Sequence, residues 1–403
     1  MSTVVQPQRG LDAIQPYVPG KPVEEVQREY GLDDVIKLAS NENPLGPSSR
    51  AVQAIRDALP GLNVYPDSQS YTLRHAIADW FGVQADHVVV GNGADGIILQ
   101  TCMAYLDDES EVVVSRSSFP VYDRFTHAMR AKLIKTPLRD YRLDLGAMAE
   151  AITGRTKLVF VCNPNNPTGT IVTAAEVDAF MARAPDHVLV IFDEAYCELV
   201  DSAAYPDTMA YLRQGRRNLM VMRTFSKAYG IAGVRLGYAF AAPEVLAPLN
   251  QVKEPFAVNL LAQVAGIAAL EDEAFLERYI AENHAGRLTL YRAFERLGLP
   301  YIESHANFVL AELGPQALAI QERLLRRGVI VRGCVNYDLS EFLRISVGSE
   351  AENSRLIGAL EEVLSEVAWN GKREASNGKR QAANVRWKMR ASGGYMDWRG
   401  KWL

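Results

Sequence analysis

The sequence predicts an α/β chain: a large, mostly parallel sheet with helices on both faces, followed by a smaller α+β unit. Two observations carry this. Between residues 50 and 240, uninterrupted apolar runs alternate with segments of helical spacing, the pattern of strands buried on both faces. From about residue 255 the order changes to long helical patterns, then strands, then one last helix.

Taken in order, residues 1–40 open with Pro16, Pro19 and Pro22 and hold one short helical candidate near 22–30. That is too little for a domain and predicts an N-terminal arm. Buried strands are expected at Val88–Val90, Val112–Val114, Leu158–Val161, Val188–Phe192, Leu219–Met222 and Gly237–Phe240. Segments 71–82 and 94–106 have helical spacing. These define a large domain over 41–254. A small domain over 255–369 follows, with helical patterns across 258–298, strands at 307–312, 329–332 and 342–347, and a helix at 350–368. Residues 370–403 are rich in Gly, Ser, Asn, Lys and Arg and are expected to form a poorly ordered tail.

Charge narrows the function classes. The chain has 403 residues and a formal net charge of -5, but residues 371–403 carry nine basic residues against two acids. That stretch is +7, which leaves -12 for residues 1–370. An acidic body argues against nucleic-acid binding over its broad surface. The longest uncharged apolar stretch, Pro255–Leu270, is 16 residues and includes Asn259 and Gln263, so no membrane span is expected. No apolar signal region opens the chain. The four cysteines form no CxxC and no metal-site pairing with the six histidines. They read as inert thiols in a reducing, cytoplasmic setting, and no metal is expected.

Four motifs carry chemistry. Gly91-Asn92-Gly93-Ala94-Asp95-Gly96 follows a strand and opens a helix, a cradle for phosphate at a helix N-terminus. The next strand ends in Ser115-Arg116 rather than an acid, so the ribose partner of a dinucleotide site is missing. Otherwise the motif is a plain Gly-rich turn. Cys162-Asn163-Pro164-Asn165-Asn166-Pro167-Thr168-Gly169 is either a simple turn or a set of fixed amides at a strand's C-terminal end, where ligands sit in open α/β sheets. Ile191-Phe192-Asp193-Glu194 ends a strand in two carboxylates, yet the GxxxxGK[ST] of an NTPase is absent. A carboxylate placed on a cationic ring nitrogen is the other reading. Most informative is Thr224-Phe225-Ser226-Lys227-Ala228-Tyr229-Gly230 with Arg235 eight residues past the lysine. It suits a Schiff-base lysine beside an anion that Ser226 and Arg235 bind together.

In this order the motifs resemble the pyridoxal-phosphate enzymes of aminotransferase fold type I, and the chain looks like a class I/II aminotransferase, most like the histidinol-phosphate aminotransferases. The resemblance runs from about Leu11 to Leu364. Besides the motifs above, it rests on Pro16–Lys21, Leu38–Pro47, Tyr65-Pro66-Asp67, Phe192–Tyr196, Arg223–Gly237 and Leu343–Gly348. It implies a large domain with a seven-stranded type of sheet that binds pyridoxal 5'-phosphate. Lys227 would carry the cofactor and shuttle a proton, and Asp193 would hold the ring nitrogen. Asn166 and Tyr196 would face the ring oxygen, and Phe119 would stack on the ring. The backbone N–H groups of Gly93, Ala94 and Asp95, with Ser226 and Arg235, would hold the phosphate. Tyr65 would reach that phosphate from a second copy, so a homodimer is expected. Arg332 and Arg344 would bind the substrate's anionic group, supported by Tyr17 and Asn43.

Two segments depart from the family pattern: Ser115–Phe119, where a Pro-containing turn is usual, and Cys334–Asp338, where a Pro- and Gly-containing loop is usual. The tail beyond Trp369 has no counterpart. The expected activity is transfer of an amino group between histidinol phosphate and 2-oxoglutarate, a step of histidine biosynthesis. Alternatives are an aromatic amino-acid transaminase, a phosphothreonine-type decarboxylase and, from another class, a non-enzymatic regulator acting through the basic tail.

Overall fold

The computed structural model describes residues 5–14, 16 and 20–366. The expected roles of Tyr17 and of the tail therefore fall outside the described residues.

Among the described residues, fourteen strands form two main sheets and one hairpin. In chain order they are β1 (Ile36–Leu38), β2 (Val88–Asn92), β3 (Glu111–Ser115), β4 (Lys132–Thr136), β5 (Leu138–Arg139), β6 (Arg142–Leu143) and β7 (Thr156–Cys162). They continue with β8 (Leu189–Asp193), β9 (Leu219–Thr224), β10 (Leu236–Ala241), β11 (Tyr301–Ile302), β12 (Phe308–Glu312), β13 (Val329–Gly333) and β14 (Phe342–Ser346).

The larger sheet has seven strands in the order β2-β10-β9-β8-β7-β3-β4. Pairing is parallel from β9 through β8, β7 and β3 to β4, and β10 alone runs against its neighbours β2 and β9. The apolar runs explain this arrangement. Alternate residues face opposite sides of a strand, so a strand covered on both sides must be apolar throughout. Val113, Val159, Val190 and Val221 enter a core beneath the helices Tyr71–Phe81, Ala174–Met181 and Leu260–Leu270. Val112, Leu158, Ile191 and Met220, their neighbours in sequence, enter a separate core beneath Gly93–Tyr105 and Pro243–Val252.

Edge strand β4 escaped the sequence reading because Lys132-Leu-Ile-Lys-Thr136 carries two lysines and is only partly buried. Open edges are commonly guarded in this way.

The smaller sheet, β1-β13-β14-β12-β11, includes a strand from the N-terminal region. Ile36–Leu38 pairs in parallel with Val329–Val331, which ties the segment before residue 40 to the C-terminal part of the chain. A third core lies between this sheet and the helices Glu273–Leu297, Ala317–Arg326 and Glu350–Glu366. Among the described residues, no helix is long and apolar enough to cross a membrane. All four cysteines are free and buried.

Candidate active site

The C-terminal ends of β2, β7, β8 and β9 open onto one cavity of about 1190 Å³ that also reaches the smaller sheet. Its wall includes Ala94, Asp95, Phe119, Asn166, Asp193, Tyr196, Ser226, Lys227, Arg235, Arg332 and Arg344. Segments spread over 250 residues of sequence are thus brought to one place, the crevice in which open α/β sheets bind ligands.

At the end of β9, Lys227 points into the cavity and its Nζ donates to the Ser40 carbonyl at 3.0 Å. Burial, and then the nearby Arg344 guanidinium, pull its ammonium down to about 8. A neutral, nucleophilic amine is therefore far more accessible near neutral pH than at an ordinary lysine, although the ammonium still predominates there.

Asp193 closes β8, 3% exposed. Burial pushes its carboxyl up to about 6, against the hydrogen bond from Tyr122 and one from the Ala195 N–H. The Tyr122 hydroxyl donates to Oδ2 at 2.5 Å and the Ala195 N–H to Oδ1 at 3.2 Å. A buried acid held in this way suits a cationic ring nitrogen, whose charge would restore the carboxylate.

Facing Asp193, Tyr196 accepts from Asn41 Nδ2 at 2.9 Å, and burial keeps its hydroxyl protonated and able to donate. Asn166 presents Oδ1 to Arg344 Nη1 at 2.6 Å. Arg344 is 5% exposed; its Nη2 donates to the Ala39 carbonyl at 2.7 Å and its Nη1 lies 3.3 Å from the Tyr337 hydroxyl. Arg332 stands directly opposite Arg344 in the β13–β14 register.

At the other end of the cavity the helix Gly93–Tyr105 begins. The first N–H groups of a helix have no acceptor within it. Arg235 Nη1 lies 3.5 Å from Ser226 Oγ and its Nη2 lies 3.5 Å from Asp95 Oδ2. A helix N-terminus, a hydroxyl and a guanidinium converge there, a set suited to phosphate.

Two expected contacts are placed differently, and a third, Tyr65, was expected only from a second copy of the chain. The Gly93 N–H is spent on the Arg235 carbonyl at 3.0 Å, so it steadies the Arg235 loop and leaves the anion to Ala94 and Asp95. Asn43 does not line the cavity: its Nδ2 donates to the Ala228 carbonyl and its Oδ1 accepts from Leu45 N–H, both at 2.9 Å. It braces the loop that carries Lys227. Tyr65 is 77% exposed and stacks on Phe256 with ring centroids 4.5 Å apart, away from the cavity of its own chain.

Sequence reasoning missed Tyr122 and Asn41. Tyr122 lies three residues past Phe119, in the first turn of the helix Val121–Ala128, and the two rings meet edge to face with centroids 5.6 Å apart. The two departures from the family pattern also meet: Ser115, Ser117 and Ser118 line a small polar pocket with Asn336, Tyr337 and Asp338.

Comparison with known proteins agrees with this geometry. Residues 33–360 match the family described as aminotransferase class I and II. A histidinol-phosphate aminotransferase of Moorella thermoacetica is 47% identical over 365 residues, covering 91% of this chain and 95% of the relative. One from Akkermansia muciniphila is 46% identical over 351 residues, covering 86% and 96%. Among solved structures, histidinol-phosphate aminotransferase of Sinorhizobium meliloti in complex with pyridoxal-5'-phosphate superposes with a TM-score of 0.82 at 28% identity, covering 91% of this chain and 99% of that one.

Proposed function

The chain belongs to the aminotransferase class I and II family, and on that premise we propose that it is a pyridoxal-phosphate transaminase whose amino donor is histidinol phosphate and whose acceptor is 2-oxoglutarate. The observation that carries the substrate is the pair Arg332 and Arg344, facing each other across β13 and β14 at one cavity wall. Like charges directly opposite destabilise an antiparallel pair. A doubly charged phosphate turns that repulsion into a two-pronged grip, and the same guanidiniums serve the carboxylates of the keto acid.

The residues fit the cofactor. Ser226, Arg235 and the N–H groups of Ala94 and Asp95 would hold its phosphate, and Asp193 would pair with the ring nitrogen. Asn166 and Tyr196 would face the ring oxygen, and Phe119 would cover one ring face. Bound there, pyridoxal phosphate supplies an electron sink and a carbon that takes up and returns the amino group. Lys227 would hold the cofactor through Nζ, and its amine, when free, would move a proton between the donor carbon and the far end of the transfer. A lysine lowered toward neutrality is suited to both directions. The buried wall around Tyr196 and Asp193 excludes water from these steps.

The sequence around Tyr65 exposes Leu59, Leu62, Val64 and Tyr71, and Tyr65 itself stacks on the exposed Phe256. A surface of this kind favours burial against a second copy, and the site is then completed by the Tyr65 of that copy. The four free, buried thiols favour a reducing cytoplasm. We place a large cofactor-binding domain at 41–254 and a small domain at 255–369, with the cavity between them.

One steady-state panel tests the reading. With 2-oxoglutarate as acceptor, histidinol phosphate should give the highest kcat/KM of a panel with phenylalanine, tyrosine and phosphothreonine, and the two aromatic amino acids, which lack the phosphate, should fall at least about tenfold below it. A preference for phenylalanine would make the chain an aromatic transaminase. Carbon dioxide release from phosphothreonine without glutamate formation would make it a decarboxylase.

A further inference from the structure

Behind the cavity wall lies a charged cluster that takes no part in the chemistry above. Asp201 ends the segment that begins with Asp193 and Tyr196. Its Oδ2 accepts from Arg287 Nη2 at 2.7 Å and from His284 Nδ1 at 2.9 Å, and its Oδ1 accepts from His305 Nδ1 at 3.1 Å. Burial works against the charge on Asp201, but His305, Arg287 and His284 outweigh it and hold the carboxyl well below the usual range. Arg287 is itself buried, so Asp201 is also the counter-ion of a guanidinium withdrawn from water.

The cluster fixes Ser304 and His305. Arg287 Nη1 donates to the Ser304 carbonyl at 2.6 Å, and Tyr291 both donates to that carbonyl and accepts from the Ser304 N–H. The His305 N–H then donates to the Gly169 carbonyl at 2.7 Å. Gly169 has φ +74°, and a Cβ there would lie 2.1 Å from Ser304 Oγ, so the fit between the two segments requires glycine. Gly169 closes the turn that carries Asn166: its N–H donates to the Asn165 carbonyl at 2.7 Å, and Asn165 N–H to the Thr170 carbonyl at 2.9 Å. Asp201 therefore joins, through short links, the two segments that bear Tyr196 and Asn166.

We propose that Asp201 is a positioning residue: through His305, Arg287 and the Ser304–His305 backbone it sets the Asn165–Thr170 turn, and so holds Asn166 beside Tyr196 at the ring oxygen of the cofactor. The proposal rests on the reading of the cavity as a pyridoxal-phosphate site. Donors to the ring oxygen compete with the protonated nitrogen that joins Lys227 to the cofactor. Loosening them strengthens that nitrogen's own bond to the oxygen and raises its pKa.

The test uses holoenzyme and the pH midpoint of the bound cofactor's visible absorption, with thermal melting measured in parallel. In Asp201→Asn the midpoint should move up by about half a pH unit or more, since a lost hydrogen bond to a charged form shifts a pKa on that scale. The kcat should fall about tenfold, the usual scale for removing a supporting contact. His305→Ala removes the imidazole contact to Asp201 but keeps the residue-305 N–H on the Gly169 carbonyl and the Arg287 bond to Ser304, and should reproduce part of the midpoint shift. It also keeps the test open if Asp201→Asn fails to fold. His284→Ala touches Asp201 but not the turn and should leave the midpoint in place. A lower melting temperature with unchanged midpoint and kcat in both Asp201→Asn and His305→Ala overturns the proposal, because Asp201 is then only structural. A parent protein that takes up no pyridoxal phosphate overturns the cofactor reading on which the proposal rests, and shows this before any variant is made.

Discussion

Lys227 shows how one residue's chemistry is set by what surrounds it. Its ammonium is lowered to about 8 by burial first and by Arg344 second. The neutral amine is the form that captures the cofactor, so a lowered pKa extends capture to lower pH. The rate at which cofactor-free protein takes up pyridoxal phosphate should rise with pH to a midpoint near 8 and then level off. A lysine at its ordinary pKa of about 10.4 would still be climbing there. In Arg344→Leu the second cause is gone and the midpoint should move upward; stopped-flow absorbance at a series of pH values reads both. Tyr122 gives a companion case at the buried acid. Its hydroxyl lowers the Asp193 carboxyl, which burial has raised to about 6. Tyr122→Phe leaves Oδ2 without that donor, at a cost of about 1–3 kcal/mol. The carboxyl pKa then rises, so the acid limb of the kcat/KM profile should shift to higher pH and cofactor affinity should drop about tenfold, measured by equilibrium titration. An unshifted acid limb would separate Tyr122 from the function of Asp193. The roles proposed for Lys227 and Asp193 were legible in the order of the motifs and the resemblance it carries, and the structure brings both side chains to one cavity wall. Tyr122 was not legible, since its partner lies 71 residues away and only the fold brings them together.

At the scale of elements, the phosphate end of the cavity depends on how closely a helix start is seated on a strand. Gly237 on β10 pairs with Gly91 on β2 and with Thr224 on β9. A Cβ at Gly237 would lie 2.4 Å from the Ala94 nitrogen and 2.6 Å from the Gly93 carbonyl carbon, both backbone atoms that cannot swing aside. Gly237→Ala must therefore push back the first turn of Gly93–Tyr105. Overpacking of this kind costs about 1–3 kcal/mol, and here it also withdraws the N–H groups aimed at the anion. We expect a lower melting temperature and, in folded protein, a dissociation constant for pyridoxal phosphate raised by about tenfold or more. A variant that loses stability but keeps its cofactor affinity would show that the helix start does not bind the phosphate. Strands β7 to β9 were legible because their runs Leu158–Cys162, Leu189–Phe192 and Leu219–Met222 are apolar on both faces, as burial on both sides requires. Strands β1 and β4 were not. β1 is three residues long, and β4 interleaves lysines because it lies at an edge.

At the scale of the whole molecule, the proposed dimer assigns to each site a side chain that lies outside the cavity of its own chain. Tyr65 is 77% exposed and rests on the exposed ring of Phe256. If that face covers a second copy, each cavity combines the Lys227 of one protomer with the Tyr65 of the other. Two defective variants then complement each other. Lys227→Ala lacks the attachment point, and Tyr65→Ala lacks one contact to the cofactor phosphate, which weakens turnover at limiting pyridoxal phosphate. A mixed dimer contains one cavity with both defects and one with neither. Co-refolding equal amounts should therefore restore about a quarter of the parent activity at limiting cofactor, because random pairing makes half the dimers mixed and each has one intact site. If Tyr65 acted on its own chain, or on none, mixing would give no more than the average of the two separate variants. The same experiment reads the oligomeric state: restoration requires exchange of protomers, and sedimentation of the parent protein as a single-chain species would remove the basis for the shared site. Sequence motifs placed Tyr65 in the site by resemblance, whereas its exposure gives an independent physical reason. A tyrosine that stacks on one exposed aromatic and faces outward gains the rest of its burial only from another surface.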